Sequence, residues 1–74
     1  MKPLSETIAG NDYVISWLLG LPEAINFFKK ADICEGSALH VICKYKDAVL
    51  ISCDNRRFIL GNEVAGCIQV TPCV

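Results

Sequence analysis

The segment RFILGNEVAGCIQV, residues 57–70, carries the clearest fold signal in this chain of 74 residues. Its first part, Arg57–Leu60, combines aromatic and β-branched residues and therefore predicts a strand. Gly61–Gly66 follows as one short helical turn, for which Asn62 is a suitable N-cap. Cys67–Thr71 then predicts a closing strand. The order of strand, helical turn and strand is typical of a domain built mainly from β-structure.

The segments before residue 57 add further strands and one α-helix. An extended lead-in from Pro3 closes in a turn at Gly10-Asn11-Asp12, because Gly and Asn tolerate positive φ. The remaining predicted elements are a strand over Tyr13–Leu19, a helix from Pro22 or Glu23 to about Ala31, and strands over Ala38–Tyr45 and Ala48–Cys53. The sequence therefore predicts a mainly β fold with one α-helix and a short helical turn, arranged as a small, partly open antiparallel barrel.

Composition limits the classes of protein to which the chain can belong. Its length predicts a single domain over residues 1–74, and 53% hydrophobic residues suit a small core. Seven Lys and Arg against eight Asp and Glu give a net charge of −1, which argues against nucleic-acid binding. No run approaches the ~18 apolar residues of a membrane span, and no signal peptide is recognisable. We therefore expect no membrane insertion and a cytoplasmic location.

Three stretches resemble one family of small proteins. Pro3-Leu4 before Gly10 is similar to the family's opening, and Phe27–Ser37 resembles its helix and following glycine loop. Residues 57–70 resemble its C-terminal strand, turn and strand. On these residues the chain is identified as a member of the ferrous iron transport protein A (FeoA) family, which has an SH3-like barrel. Where the family usually has Leu-Gly-Leu at the helix end, this chain has Ala31-Asp32-Ile33, so Asp32 is expected to adopt the left-handed conformation at some cost.

The resemblance implies a small cytosolic accessory of bacterial ferrous iron uptake. Its expected partner is the membrane ferrous iron transporter, which carries a cytosolic nucleotide-binding domain. The helix Glu23–Ala31 and the loop after it are the expected contact region, because loops on rigid scaffolds usually carry binding. The residues predicted to face the partner are Phe28, Ile33, Cys34, Glu35, Gly36 and Ser37. Since no catalytic constellation is recognisable, we expect no enzymatic activity.

An exposed aromatic residue is a further candidate for this surface. Phe27 and Phe28 are adjacent, so they cannot both point into the core along one narrow stripe. An exposed phenylalanine together with Trp17 and Leu21 would form an apolar patch that marks an interaction site. The alternative is that all of these side chains pack in the core.

A metal-binding sensor or carrier is the alternative function. If Lys46-Asp47 is a two-residue hairpin loop, His40 lies opposite Cys53, and the pair could share ferrous iron or zinc. Two ligands are fewer than the four of a structural zinc site, so the alternative is an ordinary strand histidine beside a packed thiol. We therefore expect no resident cofactor.

The remaining polar and sulfur-containing residues leave two interpretations open. Arg56 and Arg57 belong either to a solvated turn or to a recognition loop for a carboxylate or phosphate. The five cysteines include no CxxC pair and are expected to be reduced. Cys34 and Cys73 are the thiols most expected to be exposed, either without a role or as redox sensors.

Overall fold

A computed structural model describes residues 1–73 of the chain. Its elements are β1 (Lys2–Pro3), a 3₁₀ turn (Leu4–Glu6), β2 (Asp12–Leu18), α1 (Pro22–Lys30), β3 (Ala38–Lys44), β4 (Ala48–Cys53), β5 (Arg56–Gly61), α2 (Asn62–Ala65) and β6 (Ile68–Pro72). The strands form one antiparallel sheet in the order β1-β6-β2-β3-β4-β5. The predicted mainly β fold is confirmed.

The core lies on the inner face of this curved sheet, where every second residue of the strands points. β4 is the clearest case, because Val49, Ile51 and Cys53 are buried while the residues between them are partly exposed. This period of two is the pattern of a half-buried strand. The helix α1 contributes Phe28, and the 3₁₀ turn contributes Leu4. The alternation of residues that predicts the strands therefore also predicts which of their side chains are buried in the core.

The lead-in differs from the predicted extended segment. Leu4–Glu6 forms a 3₁₀ turn, and the side chain of Leu4, its first residue, is fully buried in the core. The Nζ atom of Lys44 donates to the carbonyl oxygens of Ser5 and Thr7, each at 2.7 Å. These bonds satisfy carbonyls that an isolated turn leaves unpaired, and they attach the lead-in to β3.

The end of α1 has the geometry of a Schellman motif. The backbone N–H of Ile33 donates to the carbonyl of Phe28 at 2.8 Å, and that of Asp32 donates to Lys29 at 3.3 Å. Asp32 has φ of 58°, so the expectation that it adopts the left-handed conformation is confirmed. Its carboxylate accepts a hydrogen bond from the Nη2 atom of Arg56 at 3.0 Å.

A bulge changes the register of the β3–β4 hairpin. Near the loop, Cys43 lies opposite Leu50, as a two-residue connection predicts. The register then shifts between Val41 and Cys43, and beyond this point His40 lies opposite Ser52. The predicted pairing of His40 with Cys53 is therefore wrong, because the bulge adds one residue to β3.

Candidate partner-binding groove

An open apolar groove lies between α1 and α2. It has a volume of about 340 Å³. Its lining residues come from the start of α1, from α2 and from the turn before β6, and they are Leu21, Glu23, Ala24, Phe27, Glu63, Val64 and Cys67. We call this surface the α1–α2 groove.

Two large apolar side chains of the groove are exposed to solvent. Leu21 is 71% exposed because it precedes the first residue of α1 in an extended conformation and reaches no core position. Phe27 is 39% exposed, whereas its neighbour Phe28 is 1% exposed. Adjacent helical residues point in directions about 100° apart, so one ring enters the core and the other borders the groove. The two rings therefore differ, and the alternative in which all of these side chains pack in the core is wrong, since Trp17 is exposed as well as Leu21 and Phe27.

The ring of Phe27 is positioned by edge contacts with two other rings. Its centroid lies 5.9 Å from that of Phe28 and 6.4 Å from that of Phe58, with interplanar angles of 63° and 84°. Edge-to-face packing of this kind is favourable for aromatic pairs. Contacts with Phe28 and Phe58 therefore hold one side of the Phe27 ring, and its remaining surface faces the groove.

Acidic side chains border the apolar floor. Glu23 lies in the first turn of α1, and Glu63 lies in the first turn of α2. Carboxylates at these positions are favoured by the positive end of the helix dipole. The basic residues of α1, Lys29 and Lys30, lie at its other end. The groove is therefore apolar at its centre and negative at its border.

The loop Cys34–Ser37 is exposed but firmly attached to β2. Ile15 exchanges two backbone bonds with it, donating to Ser37 and accepting from Gly36, both at 2.8 Å. The Oε2 atom of Glu35 accepts a bond from the backbone N–H of Leu18 at 3.3 Å. The loop is therefore an exposed segment whose backbone is held by the sheet.

Two of the residues predicted to face a partner are not accessible. Phe28 is 1% exposed and Ile33 is 2% exposed, so both side chains belong to the core. The prediction was wrong because it treated the helix and its following loop as one surface, whereas the helix end turns Ile33 inward beneath the loop. Cys34, Glu35 and Gly36 are exposed, and Ser37 is partly exposed.

Sequence reasoning missed the contribution of α2 to the groove. Val64 and Cys67 are far from α1 along the chain, and only the path of β5 and β6 brings them to it. The available signal was the partly polar turn Asn62–Ala65, in which Val64 is an apolar residue without a predicted core position.

His40 lies outside the groove, on the outer face of the sheet. Its Nδ1 atom lies 2.6 Å from the Oδ1 atom of Asp12, which faces it across β2 and β3. Since an ionised carboxylate only accepts, Nδ1 is the donor of this bond, and in the neutral imidazole the lone pair is then on Nε2. Asp12 was not identified from the sequence because its pairing with His40 depends on the sheet register.

Cys53 points away from His40 and into the core. Its Sγ atom donates to the carbonyl of Ala38 at 3.5 Å. Burial raises the pKa of the Cys53 thiol, and the negative charges of Asp54 and Cys34 raise it further, while Arg56 opposes them.

Within residues 1–73, no group of three or more His, Cys, Asp or Glu side chains is arranged to hold a metal ion. No helix in the same range is long and apolar enough to cross a membrane.

These features define a small SH3-like β domain with an apolar surface groove between its helices α1 and α2. The FeoA domain model matches residues 2–72, which is nearly the whole chain. The chain belongs to the FeoA domain family, which is associated with ferrous iron transport. No curated protein matches it in sequence.

Solved structures agree with this assignment. A crystal structure of an iron uptake regulatory protein (FeoA) is 26% identical, with a TM-score of 0.83 and 92% coverage of each chain. Iron(II) transport protein A from Clostridium thermocellum is 19% identical with a TM-score of 0.86, covering 95% of this chain and 44% of that one. A manganese-dependent transcriptional repressor is 19% identical with a TM-score of 0.90, covering 97% of this chain and 41% of the repressor. The last two likenesses concern the fold alone.

Proposed function

We propose that this domain is an accessory of bacterial ferrous iron uptake that acts by contact in the cytoplasm and not by catalysis. The contacted protein is the membrane ferrous iron transporter, through its cytosolic nucleotide-binding domain. The observation that supports this proposal is the α1–α2 groove, where Leu21 and Phe27 are exposed beside an otherwise well-packed core. Exposed apolar side chains grouped in a concave surface are typical of interaction sites.

The chemistry of the groove specifies what the partner must present. Its apolar floor requires one or two aliphatic or aromatic side chains, which suit a volume of about 340 Å³. Glu23 and Glu63 at the border favour Lys or Arg on either side of that anchor. The contacting segment of the transporter is therefore apolar at its centre and basic at its flanks.

We expect Leu21→Asp to weaken binding of the transporter's cytosolic domain about tenfold or more, the usual effect of a central interface residue. Leu21 makes little contribution to the core because it is 71% exposed. Binding is measured by ¹H–¹⁵N NMR titration of the reduced domain, which also maps the shifts onto the groove.

Ile59→Asp provides the matched control. Ile59 is 69% exposed and is not among the groove residues, so this variant adds the same charge at an equally exposed apolar position. We expect it to bind like the unaltered domain. Equal weakening by both variants would show that added negative charge is responsible and not the groove, and unchanged binding by Leu21→Asp would contradict the proposal.

A second candidate function, binding of ferrous iron or zinc, is favoured by the pair formed by His40 and Asp12. A carboxylate that accepts from Nδ1 orients the free Nε2 atom toward a metal in many metal sites. Under the contact proposal, the His40→Ala variant keeps its affinity for the transporter domain and loses only weak Zn²⁺ binding. Isothermal titration with each ligand distinguishes the two, because loss of partner binding in His40→Ala would favour the metal-dependent function.

A further inference from the structure

Two of the five cysteines approach the same short stretch of backbone from different elements. The Sγ atom of Cys34, in the loop after α1, lies 3.2 Å from the Oγ atom of Ser37. The Sγ atom of Cys53, at the end of β4, lies 3.5 Å from the carbonyl oxygen of Ala38. Since Ser37 and Ala38 are consecutive, the two sulfur atoms contact neighbouring residues of one short segment.

A separate contact holds these two segments together. Asp32 in the same loop accepts a hydrogen bond from Arg56 at 3.0 Å. Arg56 is the cross-strand partner of Cys53, and Asp32 is two residues before Cys34. The loop is therefore attached to the end of the β4–β5 hairpin at the place where Cys53 lies. The pKa of Cys53, raised chiefly by burial, is raised further by Cys34 where that thiol is ionised, which agrees with their proximity.

We propose that Cys34 and Cys53 are a redox-sensitive pair that forms an intramolecular disulfide on reaction with a hydroperoxide. The Cys34 thiolate attacks one oxygen of the peroxide, so that an S–O bond forms and the O–O bond breaks. The leaving alkoxide or hydroxide takes up the proton released by the Cys34 thiol and becomes an alcohol or water. Cys53 then attacks the sulfur of the resulting sulfenic acid. The S–S bond forms, the S–O bond breaks, and the leaving hydroxide takes up the Cys53 proton as water.

The environments of the two thiols set the order of these steps. Cys34 is exposed, whereas Cys53 is buried. Burial raises the pKa of Cys53 and keeps it protonated, so Cys34 is the sulfur that meets the peroxide. Closing the bond requires the loss of two weak sulfur contacts, with Ser37 and with Ala38.

The test is oxidation of the reduced full-length domain with hydrogen peroxide in slight excess, followed by alkylation of the remaining thiols. We expect a mass loss of about 2 Da before alkylation, because two hydrogens leave. The number of alkylated thiols falls by two, and dithiothreitol restores both values. Tryptic mapping is expected to join the peptide that begins at Ala31 to the peptide that contains Cys53.

Single variants identify the sulfur atoms. Cys34 and Cys43 fall in the same tryptic peptide, 31–44, so Cys43→Ser is the matched control and is expected to retain the link. Because Cys34 is exposed, the variant Cys34→Ser leaves the core unchanged. We expect this variant to lose the disulfide link completely. A link that survives in Cys34→Ser, a disulfide between two molecules, or a gain of about 32 Da on Cys34 as sulfinic acid without a link would each overturn the proposal.

Discussion

Phe28→Ala is expected to lower the free energy of unfolding by about 3–5 kcal/mol, the range for aromatic truncation in a packed core. Phe28 is the largest of the fully buried side chains and the only buried residue of α1. A domain of this length has a total stability of roughly 4–11 kcal/mol, at about 0.05–0.15 kcal/mol per residue. The variant therefore loses a large part of its stability, and at the lower limit it unfolds.

Phe27→Ala is the matched control, since it removes an identical side chain from the next residue. Phe27 is 39% exposed, so its truncation is expected to cost about 1 kcal/mol. Both losses are measured by urea denaturation followed by far-UV circular dichroism, with a reductant because the five cysteines are free. Equal losses in the two variants would contradict the assignment of Phe28 to the core and Phe27 to the groove. A functional experiment on this helix therefore uses Phe27 or Leu21 and not Phe28.

Gly20→Ala is expected to destabilise the domain by about 2–4 kcal/mol, through backbone strain and a steric conflict. Gly20 has φ of 121°, a conformation that residues with a Cβ rarely adopt. A Cβ placed on it would lie 2.8 Å from the Sγ atom of Cys67 and 3.3 Å from the Cβ of Ala24. The connection between β2 and α1 therefore passes too close to the turn before β6 to carry a side chain.

Two further variants separate the causes of this loss. Gly61→Ala is the control, because Gly61 has φ of −60° and no atom within 4 Å of an added Cβ, so its cost is expected to be within about 1 kcal/mol. The double variant Gly20→Ala/Cys67→Ala removes the conflicting sulfur and is expected to recover part of the loss, while the backbone strain persists. Full recovery would assign the whole effect to the sulfur, and a loss no larger than that of Gly61→Ala would refute the prediction. Thermal unfolding of the four proteins measures these differences.

Local pattern predicted most of the fold. The strand Ala48–Cys53 was predicted with both ends correct, because it contains the β-branched residues Val49 and Ile51 and is bounded by turn residues. Pro22 correctly located the start of α1, because its missing N–H is harmless only in the first helical turn. The lead-in was less accurate, since the 3₁₀ turn at Leu4–Glu6 depends on Lys44, which lies far away in the chain.

The candidate sites were predicted less well than the strands. The helix α1 and the loop Cys34–Ser37 were identified as surface, but Phe28 and Ile33 were assigned to it although they are buried. Helical spacing places both Phe27 and Phe28 near one apolar face and does not decide which ring enters the core. That choice depends on how α1 is rotated against the sheet, which is a property of the packed domain.

The sequence by itself indicated the family, through the resemblance of Phe27–Ser37 and residues 57–70 to known members. It also determined the antiparallel β character and the approximate bounds of the elements, because these depend on side-chain periodicity and on Gly and Pro at turns. Only the tertiary structure decided what the elements bring together. The bulge beside Ile42 shifts His40 to face Ser52, and the path of the chain places Val64 and Cys67 against α1. Both outcomes depend on contacts between residues distant in the chain, for which local residue preferences carry no information.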